Sequence, residues 1–348
     1  MKPTRSTPKD RVGLRQIAEV AGVCLMTVSL SLRDSPKISR PTRERIQSLA
    51  RELGYHPDPE ISRLMNLLRV SRTTKGRIGV AVIDFFPTSP FPEHAYHRLI
   101  RQGISQRSEE LGFTATPFSA VHYDFNLRHL LNVIRTRGIE GVILIPCVGN
   151  PLSLDAAASW NGLSVVATTN SILAPRFHSV VPHQFANMMR LIEEMQAAGL
   201  RKVGAVFEDF FDDRTAHNFT AALNWHHHGR RILMIPEAVD EARRARTLAT
   251  WLTKHKPDVV FAQSTETVVR ALRRVGRSPV DDVRVIGLGV PHEPIYSYLD
   301  ERPDLVGAGA VDLIAGMIYY HETGIPTHPR TTMIDGQLRY CSTLAAAG

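Results

Sequence analysis

The sequence has few cysteines and no metal-binding spacing. Its three cysteines, Cys24, Cys147 and Cys341, are far apart and form no Cys-x-x-Cys pair. This arrangement excludes a zinc ribbon and a disulfide-rich fold. So few cysteines in 348 residues are typical of the reducing cytoplasm, where we expect the protein to work without a bound metal.

Long apolar runs and nucleotide-binding glycine motifs are also missing. No apolar stretch approaches the ~20 residues that cross a bilayer, and the polar, charged segment Met1–Arg11 does not resemble a secretory signal. The chain contains neither a P-loop nor a Gly-x-Gly-x-x-Gly fingerprint. We therefore expect no membrane attachment and no cofactor.

The sequence offers no catalytic cluster. The acidic pairs Glu208-Asp209 and Asp212-Asp213 have no nucleophile and base beside them, and acidic loops at strand ends are common in binding proteins. The run His226–His228 lies in a predicted helix, where consecutive side chains point in different directions and cannot share one ion. We therefore predict that the protein is not an enzyme.

What the sequence does have is a basic N-terminal segment. Residues 1–77 carry 16 of the 42 Lys and Arg side chains but 7 of the 34 Asp and Glu side chains, a net charge of +9. The remaining 271 residues have a net charge of −1, so the chain's total of +8 comes from this segment. Concentrated positive charge attracts a phosphate backbone. The pattern favours a nucleic-acid-binding head on a near-neutral body.

The same segment contains a helix-turn-helix pattern. Gly22 ends a first predicted helix, and a second follows at about Leu25–Leu32. Ser39 and Pro41 predict the start of a third helix, which Gly54 ends. The apolar stripes of the three helices consist of Leu14, Ile17, Ala18, Ala21, Val28, Leu32, Ile46, Leu49, Ala50 and Leu53. Three such helices with this charge predict DNA binding, and a plain solvated helical bundle is the alternative.

Two motifs give a resemblance to a known family. Residues 14–33 read Leu-Arg-Gln-Ile-Ala-Glu-Val-Ala-Gly-Val-Cys-Leu-Met-Thr-Val-Ser-Leu-Ser-Leu-Arg, and residues 53–57 read Leu-Gly-Tyr-His-Pro. Through residues 14–57 the chain resembles the head of lactose-repressor/galactose-repressor (LacI/GalR) family regulators, and the rest is similar in layout and scattered motifs. The resemblance implies a lambda-repressor-like α-helical head followed by a two-lobed, periplasmic-binding-protein-like α/β effector domain.

In that family the second helix enters the major groove of DNA. The DNA-binding positions that the resemblance implies are Leu14, Arg15, Cys24, Leu25, Met26, Thr27, Ser29, Leu30, Arg33, Lys37, Ser39, Thr42, Tyr55 and Leu64. Thr27 and Ser29 can bond phosphates or base edges, whereas Leu25 and Met26 can make apolar contacts, most usefully with thymine methyl groups.

Two positions on the second helix depart from the family pattern. Cys24 stands where a serine commonly caps this helix, and Leu30 stands where a polar or basic residue is common. Cysteine is a poor cap, so we expect a weaker helix start. Because Leu25, Met26 and Leu30 are apolar, we do not infer the operator sequence from the operators of relatives.

A hinge and linker follow the head, at residues 58–76. Asp58 and Pro59 can cap and start a short helix. The resemblance implies a hinge helix that orders on DNA, in which Leu64 from each of two subunits wedges into the minor groove and kinks the duplex. Ile61 and Ser62 depart from the family pattern, and a connecting helix packed on the body is the alternative.

Beyond the head, residues 1–57, and the hinge, the body alternates short apolar runs with longer helical stretches. This alternation predicts parallel sheets covered by helices, and the body's length suggests two lobes. We expect the body at 77–348, with lobe 1 at about 77–199 and 306–328 and lobe 2 at about 202–303 and 330–345. Near its end we expect a helix at Val311–Glu322, a crossing between lobes near Thr327–Arg330, and one last strand, Thr331–Arg339. Ligands bind at the carboxyl ends of such strands, so the cleft between lobes is the expected effector site.

The effector-binding candidates follow from their positions in this layout. They are Asp84, Phe85, Ser89, Phe91, Asn170, His183, Asp209, Arg214, Asn218 and Gln263. His183 and Gly289 stand where the family usually has aspartate, and Thr215 stands where it usually has arginine. With fewer carboxylates to accept from sugar hydroxyls, the ligand is either not an ordinary neutral hexose or uses other anchors. For each candidate, a surface loop residue is the alternative.

The resemblance implies a transcriptional regulator, most simply a repressor. It would bind double-stranded DNA at a pseudo-palindromic operator as a homodimer, because two heads and two hinges act together. The short tail Ser342–Gly348 favours a dimer over a tetramer. A small-molecule effector, a carbohydrate or a derivative, would either release DNA or favour binding. Two alternatives remain open, a solute-binding or sugar-processing protein with an incidental basic head and a transcriptional activator on the same scaffold.

Overall fold

The computed structural model describes residues 12–32, 35, 38–55, 78–85, 95–145, 151–155, 158–226, 231–279, 281–291 and 295–341. The chain divides into two compact units. Unit 1 comprises residues 1–77 and 317–322, and unit 2 comprises residues 78–316 and 323–348. The predicted hinge, residues 58–76, lies outside the described residues.

Unit 1 contains three helices at the predicted positions. They are α1 (Leu14–Ala21), α2 (Leu25–Leu32) and α3 (Arg40–Glu52). Ile17, Val28 and Ile46 are fully buried between them. Gly22 has a φ of +66°, the left-handed conformation in which glycine commonly follows the end of a helix.

The inward face of α2 differs in one respect from the prediction. Ser31 is fully buried, whereas Leu32 is half-buried. Ser31 and Leu32 both lie about one helical turn after Val28, so either could face the core. The helix is rotated so that the smaller residue, Ser31, faces inward. The Ser31 carbonyl accepts a hydrogen bond from Gln47 Nε2 at 2.9 Å, and the Ala21 carbonyl accepts one from an Arg45 nitrogen at 3.1 Å. Side chains of α3 thus satisfy carbonyl groups at the ends of α1 and α2.

Unit 2 is built on two six-stranded sheets. The strands in chain order are β1 (Ile78–Asp84), β2 (Phe113–Ser119), β3 (Gly141–Leu144), β4 (Leu152–Ser153), β5 (Ser164–Ala167), β6 (Ile172–Ala174), β7 (His178–Pro182), β8 (Val203–Glu208), β9 (Arg231–Ile235), β10 (Val259–Ala262), β11 (Arg284–Leu288), β12 (Tyr298–Asp300), β13 (Thr331–Ile334) and β14 (Gln337–Arg339). The first sheet has the order β13-β7-β5-β3-β1-β2 and is parallel throughout, and the second has the order β14-β12-β11-β10-β8-β9. β14 is antiparallel to β12, and β4 pairs with β6 apart from both sheets.

Helices of unit 2 connect these strands, as the alternation predicted. They are α4 (Ala95–Glu110), α5 (Leu127–Thr136), α6 (Gln184–Ala197), α7 (Asp209–Arg214), α8 (Asn218–Trp225), α9 (Glu241–His255), α10 (Thr265–Arg274) and α11 (Pro303–Tyr320), whose last residues, from Met317 on, are assigned to unit 1. Separate buried clusters lie on the two faces of the second sheet, one around Phe207 and Phe219 and the other around Val260 and Leu272. Helices thus cover both faces of this sheet, as parallel strands require.

The last crossing between the sheets lies later in the chain than predicted. Thr331–Ile334 pair with β7 in the first sheet, and the chain reaches the second sheet at Gln337. The expected single strand is therefore wrong, because Asp335-Gly336 separates two strands in different sheets. A Cβ atom at Gly336 would lie 2.8 Å from the Asp300 carbonyl oxygen, so this tight passage needs a glycine.

α11 begins earlier than predicted, at Pro303 rather than Val311. Its first turns contain glycines, and glycine-rich stretches do not predict helix. The structure shows why they are there. A Cβ atom at Gly307 would lie 2.3 Å from the Ile100 carbonyl oxygen, and one at Gly103 would lie 2.0 Å from the Asp304 carbonyl oxygen. α4 and α11 therefore approach backbone to backbone.

No helix in the described part of the chain has the length and apolar character to cross a membrane by itself. α1 and α2 reach that length and character when taken together, but they meet at a bend of 106°.

Candidate nucleic-acid interface and ligand cavity

α2 exposes the side chains that the sequence predicts to meet DNA. Met26 is 68% exposed and Leu25 is 43% exposed, whereas Val28 faces the core. Thr27, Ser29 and Leu30 are half-buried. Leu25 and Met26 are therefore not core residues, and together they form an apolar surface beside polar hydroxyl groups.

The Cys24 side chain stands at the start of α2, in the place of a cap. Its Sγ lies 3.2 Å from Thr27 Oγ1, and the Cys24 carbonyl accepts the first hydrogen bond of the helix, from Val28 N. Hydrogen bonds from the Thr27 hydroxyl and then the Thr27 backbone amide lower the pKa of the Cys24 thiol. The Cys24 sulfur thus accepts a hydrogen bond at the position where a serine oxygen commonly accepts one, and sulfur is the weaker acceptor.

The other predicted contact residues of the head fall into two groups. Arg15 and Ser39 are exposed, whereas Leu14, Thr42 and Tyr55 are half-buried. Ser39 Oγ lies 2.8 Å from Thr42 Oγ1, and Leu14 and Tyr55 pack against the core of the head. Arg33, Lys37 and Leu64 lie outside the described residues.

A cavity of about 380 Å³ lies in unit 2 at the carboxyl ends of strands from both sheets. The first sheet contributes residues that follow β5 and β7. The second sheet contributes residues that follow β8, β10, β11 and β12. This volume is in the range of small-molecule sites, and the position is the one expected for open parallel sheets.

Three of the predicted effector-binding residues line this cavity. They are Asn170, Arg214 and Gln263. The Arg214 guanidinium lies 5.8 Å from the Phe210 ring centre and 5.9 Å from that of Phe211, within the range of a cation–π contact. Gln263 Oε1 accepts a hydrogen bond of 3.0 Å from the Glu208 backbone amide, which fixes its side chain at the end of β10. Arg214 therefore supplies positive charge beside aromatic surface.

Two predicted residues near β1 are not in the described lining. Phe85 is 4% exposed and packs in the core of the first sheet. Asp84, one residue earlier, is half-buried and lies 4.0 Å from an Arg101 nitrogen. Adjacent side chains at a strand end point to opposite faces, so position near the cleft does not decide which one meets a ligand. Ser89 and Phe91 lie outside the described residues.

Three further predicted residues also have other partners. His183 Nδ1 lies 3.2 Å from Asp335 Oδ1, at the last crossing between the sheets. The Asn218 amide donates to the Thr215 carbonyl at 2.8 Å, at the start of α8. Asp209 is exposed in the first turn of α7. None of the three belongs to the described lining.

Glu301 and Gln184 also line the cavity, although the sequence pattern does not predict either of them. Glu301 is 6% exposed, and Gln184 is 7% exposed. Burial raises the pKa of Glu301 to about 7, against the opposing effects of a hydrogen bond from Gln184 and the charge of Arg214. Glu301 follows β12, a strand of three residues that hydrophobic alternation did not reveal. Gln184 directly follows the predicted residue His183, so the prediction at this strand end is off by one residue.

The chain thus contains a helix-turn-helix unit and a two-sheet unit with a cavity at the strand ends. Residues 13–58 match the family described as "Bacterial regulatory proteins, lacI family", and residues 85–286 match "Periplasmic binding proteins and sugar binding domain of LacI family". The second match alone covers more than half of the chain. The chain belongs to the LacI family.

Named relatives share part of their length with this chain. It is 30% identical to the HTH-type transcriptional repressor CytR of Escherichia coli over 144 residues, which are 41% of this chain and 38% of CytR. It is 22% identical to the maltose regulon regulatory protein MalI of Escherichia coli over 193 residues, 56% of this chain and 53% of MalI. The chain thus matches about half or less of these relatives.

Solved structures match the fold over nearly the whole chain. A lac repressor dimer bound to operator and the anti-inducer ONPF has a TM-score of 0.57 and 16% identity, covering 96% of this chain and 99% of that one. A complex of the transcriptional regulator CelR with cellobiose has a TM-score of 0.55 and 18% identity, covering 94% and 98%. At these identities the likeness shows the fold.

Proposed function

We propose that the protein is a sequence-specific DNA-binding transcriptional regulator, and that a small molecule in the cavity changes its affinity for DNA. The observation that supports this most strongly is the exposed contact surface of α2, in a chain that also contains a cavity at the strand ends of two sheets. Repression is the proposed direction, because CytR is named a repressor.

On DNA, α2 lies in the major groove with its exposed side chains toward the bases. Thr27 and Ser29 hydrogen-bond phosphates or base edges, and Leu25 and Met26 contact thymine methyl groups. Lys and Arg side chains of the head neutralise phosphates, which makes the affinity depend on salt. Two copies of the chain bind one pseudo-palindromic operator, and the lac repressor structure is likewise a dimer bound to operator.

The effector can change DNA binding because residues from both sheets line the cavity. Asn170 follows a strand of the first sheet, and Arg214 and Gln263 follow strands of the second. A ligand that touches both sets favours one arrangement of the two sheets over others. The coupling to DNA binding is ~1–3 kcal/mol in such systems. We propose a carbohydrate or a derivative as the effector.

A reporter experiment tests this function and its direction. A DNA site selected by the protein is placed over a promoter, and expression is measured with and without the intact chain. We expect the chain to lower expression from the promoter that carries the site and not from one with a scrambled site. Raised expression would identify an activator, and equal expression in both would contradict the proposed function.

A further inference from the structure

Two buried oxygen atoms on the cavity wall have no hydrogen-bond partner in the described part of the protein. They are Oε1 of Glu301 and Oε1 of Gln184. Both side chains are more than nine-tenths buried, and both line the cavity. An unsatisfied buried acceptor costs free energy, and native proteins keep few of them. Two on one wall therefore indicate where a ligand donates.

The two side chains form a hydrogen bond with each other, and this bond determines which of their donor and acceptor atoms remain available to a ligand. Gln184 hydrogen-bonds the Glu301 carboxyl group. Above its pKa of about 7 the Glu301 carboxyl group is ionised and accepts, so the Gln184 amide nitrogen is then the donor in this contact and the Gln184 carbonyl oxygen stays available. The remaining groups are then both acceptors, and a ligand must bring donors to satisfy them.

The rest of the wall narrows the chemical class of the ligand. The lining contains the Arg214 guanidinium and two carboxyl groups, those of Glu237 and Glu301, so opposite charges nearly balance and favour a neutral ligand. The rings of Tyr96, Phe210 and Phe211 also line the cavity and suit the apolar face of a flat or puckered ring. A ring with neighbouring hydroxyl groups meets both requirements.

The neighbouring strand leaves room for the Glu301 carboxyl group. Gly289 follows β11 and has a φ of +104°, and a Cβ atom built there would lie 3.9 Å from Glu301 Oε2. Because Gly289 has no side chain, the end of β11 leaves the space beside the Glu301 carboxyl group open to a ligand.

We propose that Glu301 and Gln184 determine effector specificity by accepting hydrogen bonds from two hydroxyl groups of a neutral, polyhydroxylated ring. The inference rests on the proposed function, because it takes the cavity to be the effector site. Free sugars and nucleosides share this chemistry, and the experiment separates them.

The test is a titration of the intact chain with defined compounds. One arm uses the neutral monosaccharides glucose, galactose, xylose and ribose, a second uses the nucleosides cytidine and adenosine, and a third uses the phosphates of the same compounds. Binding is measured by calorimetry well above pH 7, where Glu301 is ionised, for the unchanged protein, for Glu301→Met and Glu301→Gln, and for Glu193→Gln. Glu193 is an exposed carboxylate on α6, the helix that begins with Gln184, and serves as the matched control.

We expect at least one compound of the first two arms to bind the unchanged protein. Glu301→Met should weaken that binding at least about tenfold, since a hydrogen bond to a charged group is lost. Glu301→Gln keeps one acceptor and should lose less, and Glu193→Gln should bind like the unchanged protein. Because Glu301→Met leaves the Gln184 amide without its acceptor, thermal melting of each variant without ligand checks that a loss of binding does not come from unfolding, and Glu301→Gln serves as the less disruptive variant.

Three results would overturn the inference. They are binding of the phosphorylated compounds alone, binding of no compound, and equal binding by Glu301→Met and the unchanged protein. Selection of a DNA site by the same preparation separates this failure from that of the proposed function. If a DNA site is selected but the inference fails, the proposed regulatory function still stands, and Glu301 and Gln184 are not the residues that bind the effector. If no site is selected, the proposed function itself fails.

Discussion

At the scale of single residues, Glu301 links the cavity to the pH dependence of stability. Burial raises the pKa of its carboxyl group from 4.5 to about 7. The folded protein therefore holds a proton that the unfolded chain releases at lower pH. The resulting stabilisation is fully present below about pH 4.5 and is lost as the pH rises through about 7. Tyr96, Gln184, Arg214 and Asp300 are the groups that interact with it.

We predict that Glu301→Gln removes this dependence. Relative to the variant, the unchanged protein should lose on the order of 3 kcal/mol of unfolding free energy from about pH 4.5 to about pH 8, since each pKa unit corresponds to ~1.4 kcal/mol. Urea denaturation at several pH values measures it, with Glu193→Gln as the control. Parallel curves for Glu301→Gln and the unchanged protein would contradict the burial of an ionisable group here.

Met26 allows a residue-level test of base recognition. Its exposed side chain should contact a thymine methyl group in the major groove. Met26→Ala should weaken binding to the selected site by about 1 kcal/mol, because apolar surface is no longer buried. Replacing the contacted thymine by uracil, which lacks the methyl group, should weaken binding by the unchanged protein and have little further effect on Met26→Ala.

The matched control is Val20→Ala, which shortens an exposed apolar side chain of α1 instead of α2. Fluorescence anisotropy with labelled DNA gives the affinities. Equal sensitivity to uracil in the Met26→Ala variant and the unchanged protein would show that another residue reads the methyl groups.

Which site residues the sequence could predict depended on the strands that they follow. Asn170 and Gln263 come after strands that form clear apolar runs, so the strand-end rule found them. Glu301 follows a short strand without such a run, and it was missed. Phe85 is at a strand end as well, but its side chain turns into the core. The sequence thus predicts the edge of the sheet at which the cavity lies, but not which side chains line that cavity.

At the scale of elements, the contact between α4 and α11 depends on glycine. We predict that Gly307→Ala lowers the free energy of unfolding by about 2 kcal/mol or more, because the added methyl group meets the Ile100 carbonyl oxygen. Gly316→Ala on the same helix has nothing within 4 Å of the added atom. It should be neutral or stabilising by up to about 1 kcal/mol, since alanine favours helix. Chemical denaturation compares the two variants, and equal effects would mean that the helices do not approach as closely as described.

The elements of the head were predictable at nearly every boundary, and those at the end of the chain were not. Gly22 ends α1, and Ser39 and Gly54 lie just outside the two ends of α3, so local signals mark these boundaries. The start of α11 and the division between β13 and β14 depend instead on distant residues such as Ile100 and Asp300. Local patterns do not contain that information.

At the scale of the whole molecule, the uneven charge predicts a strong salt dependence. DNA affinity should fall linearly with salt on a logarithmic scale, and each phosphate contact should contribute ~0.9 to the slope. Arg15→Ala, in the basic head, should reduce the slope by about one unit. Arg128→Ala, an exposed arginine in unit 2, should leave it unchanged. Identical slopes for all three proteins would mean that Arg15 does not contact a phosphate.

The family assignment and the proposed function both lead us to expect that the intact chain selects a DNA sequence. The direct measurement is enrichment from a random DNA pool by the full chain, repeated with a neutral monosaccharide or nucleoside that binds it. We expect a pseudo-palindromic sequence with two similar half-sites, because two copies of α2 read the DNA. Enrichment of no sequence under either condition would contradict it.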